Sequence, residues 1–237
     1  MIWPLRTCFS AGGFAVVAVC LPCLFADSVS GHVVLKDSRG DRSGVAIWLE
    51  PKNRPARPPG KADMRARMLQ KDKRFTPHVL AVEVGTTVDF PNQDPIFHNA
   101  FSNFSGKVFD IGLYPPGTSR AIKFDRPGVV RIFCNIHPAM SAVIVVVDTP
   151  YFAITSADGA FRVYDAPPGE YALGIFHERA TPEVLHALER RVNVRGAVEL
   201  PAFSIAEAGY IPLPHKNKYG KEYPPQFDER GGYKAGQ

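Results

Sequence analysis

Apolar and polar positions along most of this chain alternate over short distances, with a period nearer two than 3.6. Val79-Leu-Ala-Val-Glu-Val, Val88-Asp-Phe, Ala121-Ile-Lys-Phe, Val129-Val-Arg-Ile-Phe and Ala142-Val-Ile-Val-Val-Val each read as a strand. Side chains on a strand point to opposite faces in turn, and β-branched and aromatic residues suit that surface. Clusters of Pro, Gly, Asn and Asp separate the runs, as turns require. Closely spaced strands without long helical patterns predict an all-β chain built on a β-sandwich, spanning residues 75–148.

The flanking segments carry weaker patterns. Gly31-His-Val-Val-Leu-Lys and Gly44-Val-Ala-Ile-Trp-Leu-Glu predict a strand pair within residues 27–51, able to pack on either neighbouring core. Residues 52–74 hold nine Lys or Arg against Asp63 and Asp72, and Pro55, Pro58 and Pro59 oppose regular structure in the first half. They read as a basic, proline-rich connector, with a short helix over residues 61–70 carrying Met64 and Met68 on one face. After Asp148 a second, smaller β-sandwich is expected over residues 149–203, from Ala153-Ile-Thr, a hairpin turn at Asp158-Gly159, Phe161-Arg-Val-Tyr and Tyr171-Ala-Leu-Gly-Ile. Thr181-Pro182-Glu183 reads as the cap and start of a short helix inserted between strands. Residues 204–237, rich in Pro, Gly, Lys and Tyr, read as a flexible tail.

The first 26 residues change the picture of the cysteines. Arg6, an apolar run from Ala11 to Phe25 and then Ala26 follow the order of a secretory signal peptide, cleaved after Ala26. Export follows, to the periplasm in a Gram-negative cell. The run is interrupted by Gly12, Gly13 and Pro22, so no stable membrane span is expected after cleavage. Arg6 is the only charged residue in this segment, so its loss takes the formal net charge from +5 to +4. So mild a balance calls for no nucleic-acid partner. Cys8, Cys20 and Cys23 leave with the signal, and Cys134 remains as the single thiol. A lone thiol in an oxidising compartment needs burial or a bound partner.

Cys134-Asn-Ile-His137-Pro-Ala-Met140 lies between two apolar strands and so forms a loop joining them. A thiolate, an imidazole and a thioether within seven residues suit copper, and two His with one Cys and a distant axial Met form the blue-copper arrangement. The second imidazole must come from elsewhere. His98, just past the strand ending at Phe90, is the candidate, from a loop at the same end of the sandwich. Asn99 and Asn135 each follow a candidate ligand and are expected to tie the two loops together. Phe97 is expected to screen the site from water, and the other phenylalanines from 90 to 133 to form core.

These residues resemble the cupredoxin family over roughly residues 75–147. The two-residue gaps on either side of His137 are similar to those of amicyanin and pseudoazurin, and His98-Asn99 is similar to the pair carrying that family's first ligand. The resemblance implies a Greek-key sandwich, one copper ion in a type 1 site, strong ligands His98, Cys134 and His137, and a weak axial Met140. It further implies one-electron transport through the exposed edge of His137 to a redox partner protein. Asn135-Ile136 stands where familiar members carry a small hydroxyl residue and often Pro, which bears on the tuning of the site. The segment from Thr155 to Tyr171 resembles a carboxypeptidase-regulatory-like β-sandwich, and the overall arrangement resembles methylamine-utilisation-type cupredoxin proteins.

Other chemistries fit the residues less well. A Cys/His nucleophile needs an orienting acid and an oxyanion site, and neither is visible, so an enzyme is not expected. Structural zinc wants four good N or S ligands, and Met140 is a poor fourth. His32, His78, His177, His186 and His215 lack comparable partners and read as ordinary surface or hydrogen-bonded histidines. A copper carrier or sensor that shuttles no electrons, and a binding β-sandwich with a vestigial metal loop, stay open as alternatives. The basic connector reads as a solvated linker, with docking to an acidic partner as its alternative.

Overall fold

A computed structural model describes residues 27–36, 40–53, 63–103, 106–208 and 215–223. The expected signal peptide and the three prolines of the connector lie outside the described residues. Among these, the chain folds into β-strands, numbered here in chain order, with one short helix.

Two β-sandwiches result. The first pairs a five-stranded sheet with a three-stranded one. The larger sheet runs β6 (Val79–Glu83), β12 (Ser141–Val147), β11 (Gly128–Phe133), β8 (Phe101–Ser102), β9 (Phe109–Asp110). The smaller runs β10 (Ser119–Lys123), β7 (Thr87–Pro91), β3 (Arg65–Arg67). Between them lie Met68, Phe75, Val88, Phe90, Phe124, Val130, Ile132 and Ile144, all buried.

In the second sandwich β1 (Ser28–Leu35) pairs with β14 (Ala160–Tyr164), β17 (Val198–Glu199) and β18 (Phe203–Ile205). The facing sheet runs β13 (Phe152–Ile154), β2 (Ala46–Pro51), β15 (Gly169–Phe176), β16 (Arg190–Val194). The N-terminal strand pair therefore belongs to this core, one strand in each sheet. The first sandwich is an insertion between β2 and β13.

The two units pack through β12. Its alternating side chains serve two cores: Ala142, Ile144 and Val146 face the first sandwich, while Val143, Val145 and Val147 join Ala46 and Phe176 of the second. Burial on both faces is why its sequence is an unbroken apolar run rather than an alternating one.

Several sequence expectations give way here. Residues 65–76 form β3 and the hairpin of β4 (Leu69–Lys71) with β5 (Arg74–Thr76), not a helix. Met68 and Gln70 are fully buried while Arg67 and Lys71 are exposed, an alternation of period two that outweighs the i, i+4 methionine spacing. The turn at Gly159 has φ of +87°, and a Cβ there would meet the Val33 carbonyl oxygen at 2.2 Å. The strands it joins, β13 and β14, lie in different sheets, so the turn is an arch and not a hairpin. The short helix α1 (Pro182–Leu188) does form between β15 and β16, capped by Thr181. The segment expected as a flexible tail is packed where it is described: β18 pairs with β1, and residues 215–223 lie against the first sandwich.

Candidate metal centre

Strand pairing carries the two candidate loops to one end of the first sandwich. β11 and β12 form an antiparallel ladder ending at Phe133 opposite Ser141, so residues 134–140 are the loop that closes it. The loop folds on itself, with Cys134 N–H donating to the Met140 carbonyl at 3.1 Å and Met140 N–H to that of His137 at 3.0 Å. His98 is fixed from β7's side. Its N–H donates to the Tyr114 carbonyl at 3.3 Å and its own carbonyl accepts from Tyr114 N–H at 2.9 Å.

One ligand atom each from His98, Cys134 and His137 lies within 4.8 Å of the others. Cys134 Sγ is 3.8 Å from His98 Nδ1 and 3.6 Å from His137 Nδ1. Two donors each bound at ~2.0–2.3 Å to one ion stand about 3–4.5 Å apart, so both sulfur–nitrogen spacings fit a shared metal. Cys134 and His98 are wholly buried, while His137 is partly exposed. Met140 is also fully buried, in the same apolar cluster as Cys134.

Electrostatics favour the thiolate, the form that binds metals. Burial pushes the Cys134 thiol up, but hydrogen bonding to His98 and to the backbone N–H groups of Asn99, Ile136 and His137 outweighs it and leaves the pKa lowered. Burial likewise pushes the His98 imidazole down. The interactions with Cys134 and Asp94 outweigh that and leave it raised.

Asp94 escapes a reading of the sequence, and it orients the first imidazole. Its Oδ2 lies 2.6 Å from His98 Nε2, with both side chains buried, which turns His98 Nδ1 towards Cys134. A carboxylate on the far nitrogen of a ligating histidine fixes the ring and raises its basicity. Asp94 is itself held by the N–H groups of Asp72 and Lys73, at 2.6 and 2.9 Å. These are the two turn residues between β4 and β5, both with φ of +54°, as a two-residue hairpin of type I′ requires. Burial pushes the Asp94 carboxyl up, but those amides and His98 leave it below the usual carboxylate range. The acid four residues before His98 was the available signal; the turn that supports it comes from the far side of the supposed linker.

Asn99 and Asn135 behave as expected in kind. Asn99 Oδ1 accepts from Asn135 N–H at 2.6 Å, joining the two loops directly. Phe97 does not. It is 55% exposed, and Leu113 at 52% and Ile136 at 40% are exposed as well. Phe90, Phe101, Phe124 and Phe133 are core.

His78 and His177 are ordinary in the sense expected, each bonded to a glutamate, Glu178 and Glu207, at 2.6 and 2.8 Å. His215 is not. Its Nε2 donates to the Pro138 carbonyl at 2.7 Å and its ring stacks on Phe133 at 4.0 Å between centroids. Tyr223 Oη donates to the Cys134 carbonyl at 2.8 Å. No periodic pattern marks this segment, so nothing in the sequence pointed to the metal loop.

No protein-family model and no curated protein matches the chain. Solved structures similar to part of it include a purple cupredoxin, a copper-containing nitrite reductase and amicyanin. A purple cupredoxin from Nitrosopumilus maritimus is 26% identical over 36% of this chain and 100% of that one, with a TM-score of 0.32. A Cu-containing nitrite reductase from Thermus scotoductus SA-01 is 27% identical over 42% of this chain, with a TM-score of 0.35. The match spans only 26% of that reductase's length. A reduced amicyanin variant is 20% identical over 43% of this chain and 98% of its own, at a TM-score of 0.34.

Proposed function

We propose that this is an exported copper protein that carries single electrons to or from a redox partner through one type 1 site, with His98, Cys134 and His137 as strong ligands and Met140 as the weak axial one. The observation that carries the reading is the convergence of His98, Cys134 and His137 donor atoms within 4.8 Å, around a buried thiol whose pKa is lowered. A soft thiolate with two imidazoles selects copper over harder ions, and copper bound there supplies a one-electron couple between Cu(I) and Cu(II).

The remaining work falls to the chain. Asp94 and Tyr114 hold His98 by its side chain and its backbone, and Asn99 ties the His98 loop to Asn135. Ligands held from two directions change position little between oxidation states, which suits electron transfer. Burial of Cys134 and Met140 keeps water from the thiol. His137 is the partly exposed ligand, and Phe97 and Ile136 beside the two histidines offer an apolar surface for a partner. Among the described residues no helix is long and apolar enough to cross a membrane.

Copper titration with visible spectroscopy and voltammetry tests the reading. An intense thiolate-to-copper band, reversible one-electron cycling and loss of the band in Cys134→Ser are expected. Tight Cu(I) binding with no such oxidised state would instead make the protein a copper carrier, and absence of binding would overturn both.

A further inference from the structure

Residues 215–223 fold into a compact turn of their own. Asn217 N–H donates to the Lys221 carbonyl at 2.9 Å, Asn217 Oδ1 accepts from the N–H groups of Tyr219 and Lys221 at 3.0 and 3.1 Å, and Gly220 sits at φ of +72°. This turn reaches the metal loop at three points. His215 Nε2 donates to the Pro138 carbonyl, Lys218 N–H to Asn135 Oδ1 at 2.9 Å, and Tyr223 Oη to the Cys134 carbonyl. Lys218 Nζ also pairs with Asp110 at 2.6 Å, and Asp110 accepts from Asn99 Nδ2 at 3.4 Å. The segment is thereby tied to both ligand-bearing loops.

We propose that residues 215–223 are a strap that positions the metal loop, with Tyr223 as the positioning residue that fixes the Cys134 backbone. Both backbone polar groups of Cys134 are then tethered, its N–H to the far end of its own loop and its carbonyl to the strap. With the backbone held, the Cα–Cβ bond aims Sγ at the two imidazoles, and the strap keeps solvent from the thiol. Its effect on a bound ion rests on the copper reading above; its effect on the thiol does not.

The full-length protein carrying Tyr223→Phe keeps the ring and loses only the hydroxyl. In the copper-free protein, alkylation of Cys134 by iodoacetamide, followed by peptide mass spectrometry, should run roughly threefold to tenfold faster than in wild type, the range one hydrogen bond commands. Tyr219→Phe, at a 70% exposed position of the same turn, should leave the rate unchanged. Leu49→Ala, which loosens the other sandwich, controls for general destabilisation. A wild-type rate in Tyr223→Phe, or an equal acceleration in Leu49→Ala, overturns the strap. With copper bound, Tyr223→Phe should shift the thiolate band by changing how Sγ is aimed, and an unmoved band overturns the strap's hold on the bound ion. A wild-type protein that shows no copper band would remove the copper reading and leave the alkylation result to decide the strap.

Discussion

The second sandwich packs Val, Leu, Ile, Phe, Tyr and Ala between its sheets, and buries Ser28, Thr149, Thr155 and His177 towards its margins. The first sandwich has a similar apolar middle, but it also buries Gln70, Asn92, Asp94, His98 and Asn99. Buried polar groups cost stability unless each finds a partner; Gln70 donates to Tyr114 Oη and leaves its Oε1 without one among the described residues, while the other four are paired around the two loops. Asn92 Oδ1 accepts from Asp94 N–H at 3.0 Å, Asp94 accepts from the β4–β5 turn and bonds His98, and Asn99 receives Asn135. In the second unit the buried polar groups are separate ties between neighbouring segments, such as Thr155 to Arg42 and His177 to Glu207. The first gives up apolar volume at one end to hold a thiol and two imidazoles in fixed positions.

Substitutions should separate the two roles. The largest effect is expected from Leu49→Ala in the second core, where a fully buried leucine is worth about 2–5 kcal/mol. Urea unfolding should show that loss while copper binding per folded molecule stays as in wild type; a parallel loss of copper affinity would mean the two cores are not independent. Asp94→Ala should do the converse, lowering copper affinity by about 10–100-fold in a chelator competition with a smaller change in unfolding midpoint.

Gly174→Ala is expected to cost about 1–3 kcal/mol. A Cβ there would lie 2.2 Å from the Trp48 ring, which covers the glycine, so tryptophan fluorescence should shift while any copper spectrum does not. The smallest effect concerns the join between the units. His78, in the first, pairs with Glu178, in the second, and Arg131 adds to the same carboxylate at 3.3 Å. The hydrogen bond with Glu178 raises the His78 pKa against the opposing effect of burial, and the bond to His78 lowers that of Glu178. The stabilisation from His78 is therefore complete below the ordinary histidine range near ~6.5 and fades as pH rises through its raised value. Glu178 gives its own up only as pH falls through its lowered one. A melting temperature that declines across the first of these windows in wild type, and stays flat in His78→Gln, is the expected result.

Most of the strand pattern and the loop holding Cys134, His137 and Met140 were legible because both are local. Alternation every second residue reports which face of a strand is buried, and three soft donors between two strands must share one loop. His98 was within reach for the same reason, as it follows a recognisable strand. Asp94's role was half visible, since the acid is plain in the sequence but its support from Asp72 and Lys73 depends on a turn in a segment whose charge and prolines suggested a linker. The methionine pair at 64 and 68 misled, because four-residue spacing places residues on one face of a strand as well as on one face of a helix.

The sequence by itself therefore determined an all-β chain, the interstrand loop that carries Cys134, His137 and Met140, and the lone thiol beyond residue 26. Tertiary structure decided that the first sandwich is inserted into the second, that β12 serves two cores, and that residues 215–223 close over the ligand loop. These depend on contacts between segments dozens of residues apart, such as Val29 with Val163 and Cys134 with Tyr223. Local propensity and periodicity carry no information about which distant backbone will supply the partner for a buried carbonyl, so that choice is made only when the sheets have formed.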